Sequence, residues 1–193
     1  MTHVLRHYLW PAFAILLALT FITGVAYPAI VTAVAQVAFP SQANGSLIVV
    51  DGTAVGSSLI GQAFDDPKYF WGRRSAAGKD GFDASGSAGS NLGPTSQALI
   101  DRIAADVDRL RAANGGGPVP VDLVTTSASG LDPDISPAAA DYQVARIAAA
   151  RSTTAADIRG AVARHTEGQF LGFLGEPRVN VLELNLDLDG LLR

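Results

Sequence analysis

Between Tyr8 and Val50 the sequence contains no Asp, Glu, Lys, Arg or His, and the run PAFAILLALTFITGVAYPAI from Pro11 to Ile30 is almost wholly apolar. No other feature restricts the fold as much. A helix needs about 20 such residues to cross a hydrocarbon core of roughly 30 Å, and it satisfies its own backbone while doing so. Trp10 and Tyr27 bracket the run, where amphipathic rings settle at the two membrane interfaces. Pro11 is expected at the helix start, where its missing N–H costs nothing, and Gly24 and Pro28 are expected to bend or end the far half. The segment VTAVAQVAF, Val31 to Phe39, is too short for a second crossing and is expected to prolong the helix or lie along the membrane surface.

The rival reading is a cleaved secretory signal, with Arg6 as its basic start and Ala33, Val34 and Ala35 as an A-x-A pattern. The apolar run exceeds the roughly 7 to 15 residues of a signal core, which favours a retained anchor. Arg6 precedes the span, and the first basic residue after it is Lys68. By the positive-inside rule the amino terminus is then cytoplasmic and the remainder extracytoplasmic. The expected organisation is residues 1–39 as a short cytoplasmic start plus a transmembrane anchor, and residues 40–193 as one small extracytoplasmic domain.

Composition narrows the function classes. The 193 residues are 48% hydrophobic and 17% charged, which argues against disorder. Lys+Arg number 14 against 18 Asp+Glu, a net charge of -4, so the chain lacks the electrostatic footprint of a nucleic-acid binder. With no cysteine there are no disulfides, thiolate zinc sites or cysteine nucleophiles.

In the exported part, GSLIVV and TAVGSSLIG flank Asp51-Gly52, which predicts a hairpin. Phe64 to Pro94 is a long Gly- and Ser-rich loop that carries Phe64, Tyr69, Phe70, Trp71 and Phe82, rings that a pure linker lacks. Leu99, Ile103, Val107 and Leu110 predict a helix over Ser96 to Ala113, stopped by Asn114-Gly115. Val121 to Thr125 reads as a strand. Ser136-Pro137 opens a second helix through Arg151, with Val144 and Ile147 inward, and Thr154 with Asp157 opens a third that ends near Gly168. The alternation of Leu182, Leu184, Leu186 and Leu188 with Glu183, Asn185, Asp187 and Asp189 predicts a half-buried strand over Arg178 to Asp189. The fold class is therefore α+β: one transmembrane helix followed by a single small domain.

Catalytic constellations are weak. His165 is the one histidine of the exported part and reads as a helix-end residue, although a membrane-anchored hydrolase would have to use it. Ser75 and Lys79 have the spacing of a Ser–Lys pair, in a loop where such spacing arises by chance. Gly72 to Gly78-Lys79-Asp80 has one residue too many for a phosphate loop, and an acid where the magnesium-binding hydroxyl belongs. The carboxylate stripe on the last segment reads as a solvated strand face, and Asp187-Leu188-Asp189-Gly190 starts like a calcium loop but has no closing glutamate. No catalytic or metal-binding residue is assigned. Tyr69, Phe70, Trp71, Arg73 and Arg74 are the candidate partner-interface residues, because arginines beside rings suit cation–π contacts or a partner carboxylate.

Taken in order, ITGVAYP, FPSQANGSLI, LIGQ, YFWGR, GSNLGP, LVTTSASGLDPDISPAAADYQVARIAAAR and HTEGQFLGFLGEPRVNVLELNLDLD cover nearly the whole chain. This series resembles the C subunit of the Kdp-type potassium-transporting P-type ATPases, with Arg74 standing where that family usually has proline. The resemblance implies a non-catalytic, single-pass accessory subunit of an ATP-driven, high-affinity potassium uptake complex in the bacterial cell membrane. Its implied partners are a channel-like potassium-selecting subunit, a phosphorylated ATPase subunit, a small peptide subunit and membrane lipid. ATP and potassium are handled by the complex, and the family is described as raising the ATP affinity of the ATPase subunit. The alternative expectation is direct nucleotide binding through Arg73, Arg74 and Lys79, which requires the domain to be cytoplasmic.

Overall fold

The computed structural model describes residues 2–192. They divide into two compact units, with the boundary between Leu47 and Ile48. The first unit is helical: α1 (Thr2–Phe21), a π-turn (Ile22–Ala26), α2 (Tyr27–Ala38) and the short α3 (Pro40–Ala43). The 33 residues Arg6–Ala38 form the one helix among the described residues that is long and apolar enough to cross a membrane. Pro11 lies inside α1 and not at its start, because the preceding residues from Thr2 contain no helix breaker and are already helical. The bend expected at Gly24 and Pro28 takes the form of the π-turn. Pro28 cannot donate to the Gly24 carbonyl and its ring crowds it, and the wider turn accommodates both defects without ending the helix.

In the second unit, β1 (Leu47–Val50) and β2 (Thr53–Ser57) form the expected hairpin. Asp51 and Gly52 both have positive φ, as the tight turn demands. The loop then runs to α4 (Gln97–Asn114), which Gly115 ends in the left-handed conformation. Helix α5 (Pro137–Arg151) is capped by the Ser136 hydroxyl, and α6 (Ala155–Arg164) by a reciprocal Thr154–Asp157 capping box. A three-stranded antiparallel sheet orders β3 (Asp134–Ile135), β5 (Arg178–Asn180) and β4 (Thr166–Glu167), with β5 in the centre.

Three sequence expectations are corrected. Val121–Leu123 is a 3-10 turn following Pro120, which buries Leu123 and aims Asp122 at the Ser136 N–H. Helix α6 ends at Arg164, since Thr166 and Glu167 pair with β5. The leucine alternation after Asn180 is not a strand. Only Arg178–Asn180 is extended, and Val181–Leu188 forms α7, capped by the Asn180 side chain on the Glu183 N–H. Leucine favours helix over strand. Because Val181, Leu182, Leu184, Asn185 and Leu186 are all buried, α7 shows no one-sided apolar stripe to reveal its period. The core joins Val181 and Leu184 to Val144 and Ile147 of α5, Ile158 and Ala161 of α6, Leu110 of α4 and Val179 of β5.

Candidate functional site

The aromatic loop is the segment the sequence singles out, and its backbone is held by side chains from α5 and α7. Asn185 accepts from the Phe70 N–H at 2.8 Å and donates to the Phe70 carbonyl at 3.0 Å. Gln143 does the same for Trp71, at 2.8 and 3.1 Å. Two buried amides thus stand in for the neighbouring strand that this extended dipeptide lacks.

Arg146 completes the clamp. It donates to the carbonyls of Pro67 and Tyr69 at 2.5 and 3.0 Å, to Gln143 Oε1 at 2.7 Å and to Asn114 Oδ1 at 3.0 Å. Its guanidinium carbon lies 3.9 Å from the centre of the Trp71 ring, a cation–π contact. Burial, reinforced by nearby Arg109, pushes its pKa down to about 10, which leaves it charged at neutral pH. One turn on, Arg151 donates to the carbonyls of Lys68 and Leu188 and pairs with Asp189 at 2.7 Å. Asp189 also accepts from the Tyr69 hydroxyl at 2.7 Å, and that hydrogen bond is the main reason the Tyr69 pKa is raised.

Consequently Phe70 and Trp71, expected at a partner interface, lie in the core of their own domain, 0% and 9% exposed. Their apolar surface is already taken. Tyr69, Arg73 and Arg74 remain partly or wholly at the surface. Arg73 pairs with Asp132 at 2.7 Å, and Arg74 Nε lies 3.1 Å from the buried carboxylate of Asp106. Arg74, the position that departs from the resemblance, is thus matched by an acid on α4 and joins Thr126 through an isolated parallel bridge.

Beyond Arg74 the loop is tied by Ser75. Its hydroxyl donates to the Gly130 carbonyl at 2.5 Å and accepts from the N–H groups of Ala77 and Phe82. A hydroxyl so engaged ties the loop together. Gly130 belongs to the same knot, with φ +68, and a Cβ there would meet the Ala88 carbonyl oxygen at 2.5 Å.

The structure does gather four cations. Arg73, Arg74, Lys79 and Arg109 line one cleft of about 370 Å³, together with Asp65 and Asp80. His165, by contrast, caps the end of α6 and places Nε2 3.1 Å from Asp187 Oδ2, which also accepts from Arg164 at 2.7 Å. The Arg164 hydrogen bond holds the Asp187 carboxyl below its ordinary range. Of the carboxylates expected on a solvated strand face, Asp187 and Asp189 therefore serve as counterions at the end of α7. Among the described residues no group of three or more His, Asp or Glu is placed to hold a metal ion.

Of the residues that hold the loop, Gln143, Arg146 and Arg151 are not singled out by the sequence, and Asn185, expected on the wet face of a strand, is buried instead. The signal was present as polar side chains next to the inward Val144 and Ile147, and as an asparagine inside a run of leucines.

Residues 9–190 match a protein-family model described as KdpC, "K+-transporting ATPase, c chain". A "Potassium-transporting ATPase KdpC subunit" of Sorangium cellulosum (strain So ce56) is 60% identical over 185 residues, 95% of this chain and 97% of that protein. Proteins with the same description from Burkholderia mallei (strain SAVP1) and Burkholderia pseudomallei (strain K96243) are each 59% identical over 181 residues, 93% of this chain and 94% of theirs.

Proposed function

The chain belongs to the KdpC family, the c chain of K+-transporting ATPases, and from that membership we propose that it is a non-catalytic, single-pass subunit that stabilises its complex from outside the cell membrane. The observation that carries this reading is the apolar helix Arg6–Ala38, which is unburied along its length and is joined to a domain with its own core. Such a surface is stable only in lipid or against other membrane helices. Arg6 ahead of the span favours a cytoplasmic amino terminus. The partners are the channel-like potassium-selecting subunit, the phosphorylated ATPase subunit and the small peptide subunit, and the chain itself takes no cofactor. Tyr69, Arg73 and Arg74 supply the polar surface of the aromatic loop toward them.

With the domain outside, an influence on ATP affinity is a coupling free energy passed through the membrane subunits, and for binding such coupling is reciprocal. The test is to purify the complex with and without this chain. Loss of the chain should lower recovery of the other subunits and weaken both potassium and ATP binding. Undiminished recovery would rule out the assembly role, and unchanged affinities for both ligands would rule out the coupling.

A second reading, direct nucleotide binding, is favoured by the convergence of Arg73, Arg74, Lys79 and Arg109 on one cleft. Against it, Asp132 and Asp106 already neutralise two of the four. It requires ATP to bind the isolated chain and that binding to be lost in Lys79→Ala/Arg109→Ala. The first reading expects no binding in either protein.

A further inference from the structure

The segment from Gly168 to Arg178 is exposed throughout, and its tip presents Phe170, Leu171 and Phe173, each 70% exposed, beside Leu174 at 48%. These residues form a pinned turn. Phe170 and Leu174 exchange backbone hydrogen bonds of 2.8 and 2.9 Å, and the Gln169 side chain closes the base on the Gly175 carbonyl. Leu171 is held at φ +54, a conformation that costs a branched residue energy and persists only where its surroundings impose it. The chain thus keeps four large apolar side chains in water on a preordered tip, the arrangement that lowers the ordering cost of binding.

We propose that the Phe170–Leu174 turn is a docking finger whose phenylalanines enter an apolar pocket, rimmed by cationic side chains, on another subunit of the same transport complex. The proposal rests on the reading that the domain holds that complex together, and it gives that reading a surface. Charge selects the occupant. The acids flanking the finger are Glu167 and Glu176; Glu167 is bound by Arg178, which also faces Asp134, and Glu176 forms no ion pair among the described residues. From Thr166 to Pro177 there is no Lys, Arg, Trp or Tyr, the residues that hold a protein segment at a lipid surface. With Glu167 neutralised by Arg178, the acid that remains beside the finger is Glu176, which suits a basic group on the pocket rim and opposes anionic lipid.

The test uses the full chain co-expressed with the other subunits, with a photoreactive benzophenone side chain in place of Phe173. An adduct with another protein subunit is expected. An adduct only with lipid, only with a second copy of this chain, or none at all, overturns the proposal. In a second arm, Phe170→Ser/Phe173→Ser should lower complex recovery about tenfold or more, as loss of buried aromatic anchors does. Val121→Ser, at an apolar position 71% exposed elsewhere, should not. Wild-type recovery for the finger variant overturns the proposal. A control lacking the chain separates the two failures: a complex that forms equally well without it sinks the assembly reading, whereas one that needs the chain but tolerates the finger variant sinks the finger alone.

Discussion

The side-chain amide of Asn185 on α7 closes on both backbone polar groups of Phe70, accepting from its N–H at 2.8 Å and donating to its carbonyl at 3.0 Å. Replacing Asn185 by Leu keeps the branched outline of the side chain and abandons two buried polar groups. Asn185→Leu should therefore destabilise the domain by about 2 to 4 kcal/mol, measured by urea unfolding of the full chain in detergent with Trp71 fluorescence as the probe in a Trp10→Phe background. A loss below about 0.5 kcal/mol would mean that the clamp is not what fixes the loop.

Arg146 meets carbonyl oxygens, an amide oxygen and an indole face at once, which a single ammonium group cannot do. Arg146→Lys should therefore behave almost as badly as Arg146→Ala, each losing about 2 kcal/mol or more. Recovery of wild-type stability in Arg146→Lys would reduce the residue to a point charge.

How much was legible in sequence follows from these contacts. The hairpin, the helix caps at Ser136 and Thr154 and the glycine stop after α4 are local chemistry, and each appears where its residues place it. The membrane helix was legible because twenty apolar residues have few alternatives, while its π-turn depended on how Gly24 and Pro28 share a defect. Helix α7 was not legible, since Leu at every second position suits a strand with one wet face as well as a short helix buried on nearly all sides. Only the tertiary setting of Asn185 decides between them. The rings of the loop looked like a partner surface for a related reason: sequence does not show that Gln143 and Asn185 fold Phe70 and Trp71 inward.

Acid should act through the end of α7. Asp187, with its pKa lowered chiefly by the Arg164 hydrogen bond, contributes stability that is present above the unfolded carboxylate value of about 3.9 and is lost as pH falls through the lower folded value. Asp189 is lowered in net as well: burial raises it, but hydrogen bonds from Tyr69 and Arg151 prevail. Asp134 opposes them, because burial raises its pKa in spite of Arg178, so protonating it favours the folded state. Unfolding free energy should drop below about pH 4 in the wild type, and Asp187→Asn should flatten that drop. An identical acid slope in the variant would contradict the assignment.

The loop knot predicts a strict requirement at Gly130. A methyl group there would press on the Ala88 carbonyl at 2.5 Å and the Ala77 nitrogen at 2.7 Å, at a φ of +68. Gly130→Ala should cost about 2 kcal/mol, read as a lowered unfolding midpoint. Ser75→Ala should cost a comparable amount by orphaning the Ala77 and Phe82 N–H groups. A neutral result in both variants would mean that the segment 75–89 is held in some other way.

The orientation of the domain is open to one direct measurement. The chain has no cysteine, so a single Ser87→Cys substitution in the exposed loop offers the only thiol. In intact cells carrying the assembled complex, a membrane-impermeant maleimide should label that cysteine from outside without permeabilisation. Labelling only after the membrane is opened would put the domain in the cytoplasm and contradict the account.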